Sequence, residues 1–262
     1  MQGTCAKISR TFYMNYMTWG VRMNEAFSRT EMLFGTEAME RLKSAHVAVF
    51  GLGGVGGYVV EALARSGIGA LDLIDNDTFS VTNLNRQILA LHSTVGLQKT
   101  DVAAKRVKDI SPECRVHTFN TFFTEETSRQ FDFDSYDYIV DAIDTMAGKL
   151  ELVMAARRHN VPIICSMGTG SKMDPTALRV GDLYETSVDP LARIMRKELR
   201  KRGVDSLKVV CSSEMPIKPK TQSDETKGAG NRPVPGSNAF VPAAAGLILA
   251  GEVVKDITGY NS

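Results

Sequence analysis

No two of the four cysteines, Cys5, Cys114, Cys165 and Cys211, stand in CxxC spacing. That absence excludes a zinc ribbon or a vicinal redox pair and fits a reduced, cytoplasmic protein. No run of about eighteen apolar residues exists to span a bilayer, so no membrane role is expected. The longest apolar stretch, residues 240–251, is broken by Pro242 and Gly246 and reads as a buried helix. A charge excess is missing as well: 31 basic against 30 acidic side chains leave a net charge of +1. Any RNA contact must therefore come from a local patch rather than a global field. What is present is 43% hydrophobic content in 262 residues, ample for a packed core.

The first residues lack the apolar core and cleavage site of a secretory leader. Met23 stands just before a helical pattern, so residues 1–22 read as an extension or an upstream start. The expected organisation is an N-terminal extension over residues 1–28 and a single domain over 29–262.

Apolar residues at helical spacing over 31–43 predict a short helix or helix pair. HVAVFG is a buried strand, and a helix follows over roughly 55–66. ALDLID, RVHTF, YDYIVDAID and VPIICSMG are further strands, with helices over QKTDVAAKRVKDI and MAGKLELVMAARRHN between them. Such alternation predicts an α/β, doubly wound, Rossmann-like and mostly parallel sheet with helices on both faces. Beyond Gly170 the rhythm changes to a mixed-strand extension: strands over TALRVGDLYE and LKVVCSS flank the basic helix PLARIMRKELRKRG. Residues 212–238 are poor in apolar side chains and read as a flexible loop; AFVPAAAGLILAGEVVKDITG then closes the domain.

Gly51, Gly53 and Gly56, with Gly54 between them, sit where the first strand turns into its helix. The first glycine permits the turn, the second lets backbone N–H groups approach phosphate, and the third lets helix and strand pack closely. Asp75 ends the second strand, within reach of a ribose hydroxyl. These features serve NAD and adenosine sites alike. What discriminates is the tail: Asp77, Asn83, Arg86 and Gln87 in DNDTFSVTNLNRQ, then Lys99 in GLQKTD, then Asp141 and Asp144 in DAIDT. Cations neutralise a transferring phosphorus centre, and a carboxylate holds Mg²⁺ between phosphates. Hydride transfer calls for neither. Each residue also has a plainer reading: Asp141 as a cap of the next helix, Asn85 and Gln87 as turn formers, Arg86 and Lys99 as partners of surface acids.

GLGGVGG, LIDNDTFSVTNLNRQ, the lysine of VGLQK and DAIDT together resemble the activating-enzyme family of the ThiF, MoeB and ubiquitin-activating proteins. The resemblance is strong over residues 29–168 and implies that Mg·ATP adenylates a carboxylate. It places Asp75 on the ribose, Asn83, Arg86 and Lys99 on the phosphates, and Asp144 on magnesium. Arg29 matches the arginine that reaches into the partner's active site in homodimers of this family; a solvated residue at a helix start is its plainer reading. Two substrate classes follow. Adenylyltransferases for the C-terminus of a ubiquitin-like sulfur carrier mostly contain two CxxC pairs, absent here. EALARSGIG, SPECRV and residues 167–203 are instead similar to the TcdA (CsdL) branch, the tRNA threonylcarbamoyladenosine dehydratases, and this likeness runs over nearly all of residues 25–258. It implies ATP-dependent cyclisation of threonylcarbamoyladenosine in tRNA; a sulfur-relay partner protein is left open. A noncatalytic dinucleotide-binding module is the remaining alternative. Arg193, Arg196, Lys197 and Arg200 share a helix face, which reads as an RNA contact or as a solvated charged surface.

Overall fold

A computed structural model describes residues 23–221, 226–227 and 232–260. The helical pattern before the first strand resolves into a pair, α1 (Ser28–Phe34) and α2 (Thr36–Ser44), separated at Gly35, whose φ of +81° interrupts the helix. Then come β1 (His46–Phe50), α3 (Gly56–Arg65), β2 (Ala70–Ile74), α4 (Lys99–Ile110) and β3 (Arg115–Phe119). The second half holds β4 (Tyr138–Asp141), α5 (Met146–Arg158), β5 (Ile163–Ser166), β6 (Leu178–Asp182), α6 (Pro190–Lys201) and β7 (Lys208–Ser212). A small antiparallel pair, β8 (Thr226–Lys227) with β9 (Arg232–Pro233), precedes α7 (Val241–Thr258).

The seven-stranded sheet has the order β3-β2-β1-β4-β5-β7-β6. Every pairing is parallel except β6 with β7, so the doubly wound expectation and its mixed extension both hold. β1 and β2 consist almost wholly of buried residues because helices cover both faces. Val47, Val49, Leu63 and Leu249 pack on one face, while Ala48, Phe50, Phe123 and Phe131 pack on the other. A third cluster, around Cys165, Met195, Leu199 and Val209, seats α6. The strand order reverses between β1 and β4, and ligands of such sheets bind outside the carboxyl ends of strands at that point.

One sequence reading is corrected. The fourth strand stops at Asp141 rather than running to Asp144: Ile143 N–H folds back onto Asp141 Oδ1 at 3.0 Å, which turns the chain out of the sheet. Residues 212–238 include the short β8–β9 pair, and the flanking chain is tied down: Ser171 N–H donates to Gly236 O, and Ile217 N–H to Ser171 O, both at 2.7 Å. Among the described residues no helix is long and apolar enough to cross a membrane.

Candidate active site

At the carboxyl end of β1 the chain enters GLGGVGG. Gly51 has φ +89°, and a Cβ there would lie 2.6 Å from the Ala142 carbonyl oxygen. A Cβ on Gly56 would stand 1.7 Å from the Gly51 oxygen, so the turn closes only with hydrogen at both positions. Gly53 differs: the nearest atom to its Cβ position is Gln87 Nε2, at 3.9 Å. Its backbone is open to an approaching phosphate, and the start of α3 contributes positive partial charge. Gly54 is backed by Pro242 of α7 and by Arg86, at 3.2 and 3.4 Å from its Cβ position.

Asp75 follows β2 and accepts the N–H groups of Leu52 at 2.7 Å and Asp77 at 2.8 Å. The first bond ties the second strand to the glycine loop. Lys99, the first residue of α4, is only 5% exposed. Its Nζ donates to Asp77 Oδ2 at 2.8 Å and lies 3.5 Å from Asp75 Oδ1. A buried ammonium needs negative partners, and here two carboxylates of the same crevice share it. Lys99 is therefore no surface ion pair.

Asn83 builds the next turn. Its Oδ1 accepts Ser80 N–H at 3.0 Å, and its carbonyl accepts the N–H groups of Arg86 and Gln87. Arg86 Nη1 donates to Thr82 O and Asn85 Oδ1, at 2.8 and 3.0 Å, and the guanidinium has no ion pair among the described residues. Asn85 also donates to Ser237 O at 3.2 Å, joining the turn to the chain before α7. Gln87 is buried with Oε1 unpartnered among the described residues, as are Gln98 Oε1, next to Lys99, and Thr145 Oγ1, next to Asp144. Orphaned polar atoms on segments around one crevice fit a site completed by a polar ligand.

Beyond β4, Asp144 is exposed beside the helix start. Asp141 does not cap that helix: it is fully buried, and Lys149 Nζ donates to its Oδ2 at 3.0 Å and to Ser166 O at 2.8 Å. Reading the sequence missed Lys149 and a second buried pair, Lys172 with Asp189 at 2.7 Å. A signal existed for the first: Lys149 occupies the same α5 stripe as the buried Leu152, Val153 and Ala156. The second joins residues far apart in sequence and left no local trace.

Burial pushes the Cys114 and Cys211 thiols up to about 11, and the Cys165 thiol well above its ordinary value. None of these three is a poised thiolate. Cys5 lies outside the described residues.

Two further predicted contacts involve other elements. Phe27, which leads into α1, packs beside Gly67 in the turn that enters β2, at the opposite end of the strands from the glycine loop. Arg29 on α1 is exposed and is not brought to the phosphate end of its own chain. On α6, Arg193, Arg196, Lys197 and Arg200, joined by Lys201, line one open pocket of about 400 Å³. Arg196 is held by Thr186 Oγ1, and Arg200 lies 5.0 Å over the Tyr184 ring. Arg193 and Lys197 are exposed.

A model of the ThiF family matches residues 27–262. The tRNA threonylcarbamoyladenosine dehydratase of Bacillus subtilis is 44% identical over 242 residues, covering 90% of this chain and 95% of that protein. The protein of the same name from Escherichia coli is 42% identical over 213 residues, covering 77% of this chain and 78% of its own. The solved structure of the E. coli tRNA N6-threonylcarbamoyladenosine dehydratase, TcdA, in complex with ATP superposes with a TM-score of 0.81 at 36% identity, covering 90% of this chain and 95% of that one.

Proposed function

The chain belongs to the ThiF family, and from that premise we propose that it is an ATP-dependent tRNA threonylcarbamoyladenosine dehydratase, a carboxylate-activating enzyme that cyclises its substrate. The observation that carries this reading is the buried Lys99 held between Asp75 and Asp77, together with the open Gly53 backbone and Arg86, which has no ion pair among the described residues. That is a cationic phosphate cradle with a carboxylate placed for a ribose. The likeness to the ATP-bound dehydratase across nearly the whole chain points to the same substrate.

In the first step a threonyl carboxylate oxygen attacks the α-phosphorus of ATP, forming a C–O–P linkage as pyrophosphate leaves. In the second, a nitrogen of the same side chain attacks the activated carbonyl carbon, a C–N bond forms, AMP departs and the nitrogen's proton passes to solvent. The nucleoside loses one water overall. Because nucleophile and electrophile are tethered, effective molarities on the order of 10⁵–10⁸ M make a cysteine adduct unnecessary.

Within this reading Asp75 accepts a ribose hydroxyl, and the backbone N–H groups of Gly53, Gly54 and Gly56 line the phosphates, while Gly51, whose N–H donates to Ile74 O at 2.8 Å, forms the turn that presents them. Asn83, Arg86, Gln87 and Lys99 meet the phosphate oxygens, with Asp77 holding Lys99 in place. Asp144, a hard oxygen donor, suits Mg²⁺, which supplies charge neutralisation of the phosphates when bound. Arg29 completes the site of the second copy in a homodimer. Arg193, Arg196, Lys197 and Arg200 contact the tRNA backbone.

The decisive experiment incubates the protein with Mg·ATP and tRNA bearing threonylcarbamoyladenosine, then weighs the nucleosides. Loss of one water is expected; an unchanged nucleoside with folded protein overturns the reading. Arg86→Ala and Asp144→Ala should abolish AMP formation with unaltered circular dichroism. Full turnover by either variant removes its residue from the site. A double charge reversal, Arg193→Glu with Lys197→Glu, should raise the KM for tRNA about tenfold or more and flatten its salt dependence, with kcat retained. An unchanged KM makes that face a solvated surface only.

A further inference from the structure

At the other end of the sheet, three potential metal ligands from three adjacent strands converge. His46 opens β1, and Asp72 of β2 stands in register with His117 of β3. His46 Nε2 and His117 Nδ1 approach the same carboxylate oxygen, Asp72 Oδ1, at 2.7 and 2.8 Å. The three ligand atoms all lie within 4.8 Å of one another. The site is remote from the crevice: His46 and Gly51 are separated by about 16 Å along the strand.

We propose that His46, Asp72 and His117 form a binding site for one Zn²⁺-class divalent transition cation, separate from the adenylation site. Two imidazole nitrogens with one carboxylate oxygen make a donor set for such an ion and a poor one for magnesium. Strand register, rather than a mobile loop, sets Asp72 opposite His117. The second carboxylate oxygen is already engaged, since Tyr136 O–H donates to Asp72 Oδ2 at 2.7 Å. An outer hydrogen bond of this kind fixes the carboxylate and leaves Oδ1 for the ion. The His117 side chain is 57% exposed, which provides an entry path and room for water as a fourth ligand. A carboxylate oxygen only accepts, so each hydrogen bond to Oδ1 requires a proton on the metal-facing ring nitrogen. Binding replaces those two hydrogen bonds with coordination; each proton moves to the other ring nitrogen of a neutral imidazole or leaves to solvent.

The test uses full-length protein stripped with a chelator, without ATP, titrated with ZnCl₂ by calorimetry and with CoCl₂ by visible absorption. One equivalent per chain is expected, with the ligand-field bands of four-coordinate cobalt. His117→Ala, a change at a largely exposed position, should fold normally and bind at least about tenfold more weakly. His117→Cys, which restores a soft donor, should recover tight binding. Equal affinity in wild type and His117→Ala would overturn the site, as would no binding in wild type; the cluster would then be a hydrogen-bonded strut. Cyclisation of the tRNA nucleoside should proceed in both proteins, so failure of the enzymatic reading and failure of the metal site are told apart.

Discussion

Gly53 and Gly56 are three residues apart, and their surroundings assign them opposite tasks. Gly56 has the Gly51 oxygen where its Cβ would be, whereas Gly53 has only the end of a glutamine at 3.9 Å. Gly56→Ala should therefore damage the fold itself, at a cost of about 3 kcal/mol or more, because backbone rather than a flexible side chain must yield. Gly53→Ala should leave thermal stability within about 1 kcal/mol and weaken ATP binding, because its methyl would occupy the phosphate's approach. Melting curves with and without Mg·ATP separate the two. A Gly53→Ala protein that keeps the full ATP-dependent shift would remove that glycine from the phosphate cradle.

Among the elements, α3 and α4 carry the two halves of the proposed cradle, the glycine turn and Lys99. One ionic joint locks them. Arg106 of α4 donates Nε and Nη2 to the two oxygens of Glu61 on α3, both at 2.9 Å, and Arg65 adds a bond at 2.8 Å. Burial opposes the Glu61 charge, but the bonds from Arg106 and Arg65 outweigh it and depress the carboxyl's pKa. A depressed carboxyl stabilises the folded state above its unfolded pKa of about 4.3 and loses that contribution as pH falls through the folded value. Glu61→Gln should cost about 1–2 kcal/mol at neutral pH, a figure reduced for the solvent-exposed arginines. Urea unfolding should show that penalty shrinking below about pH 4. A penalty constant from pH 7 to pH 3 would assign it to packing rather than charge.

At the scale of the whole molecule, the helix that carries Arg29 is entered from Phe27, which packs beside the turn leading into β2 rather than at the glycine loop. In the proposed homodimer Arg29 serves the opposite site. Arg29→Ala and Asp144→Ala proteins should each be inactive alone, and a mixture refolded together should regain about a quarter of wild-type activity, since random pairing makes half the dimers mixed and each mixed dimer holds one intact site. No recovery in a mixture shown to exchange subunits would deny Arg29 its role across the interface.

Much of this protein was legible in its residues. Alternating apolar strands and amphipathic helices specify a doubly wound sheet because side-chain period follows directly from backbone geometry. GLGGVGG, Asp75 and NLNRQ point to the nucleotide crevice proposed above because residues of these types answer local requirements of phosphate or ribose. Tertiary structure alone decided which charges meet. Lys99 is joined to Asp75 and Asp77 across two loops, Asp141 is buried against Lys149 instead of capping a helix, and Lys172 finds Asp189. It also gathered His46, Asp72 and His117 from three strands. Periodicity records which face of an element is buried; partnership between distant polar groups depends on strand order and register, which exist only once the chain has folded.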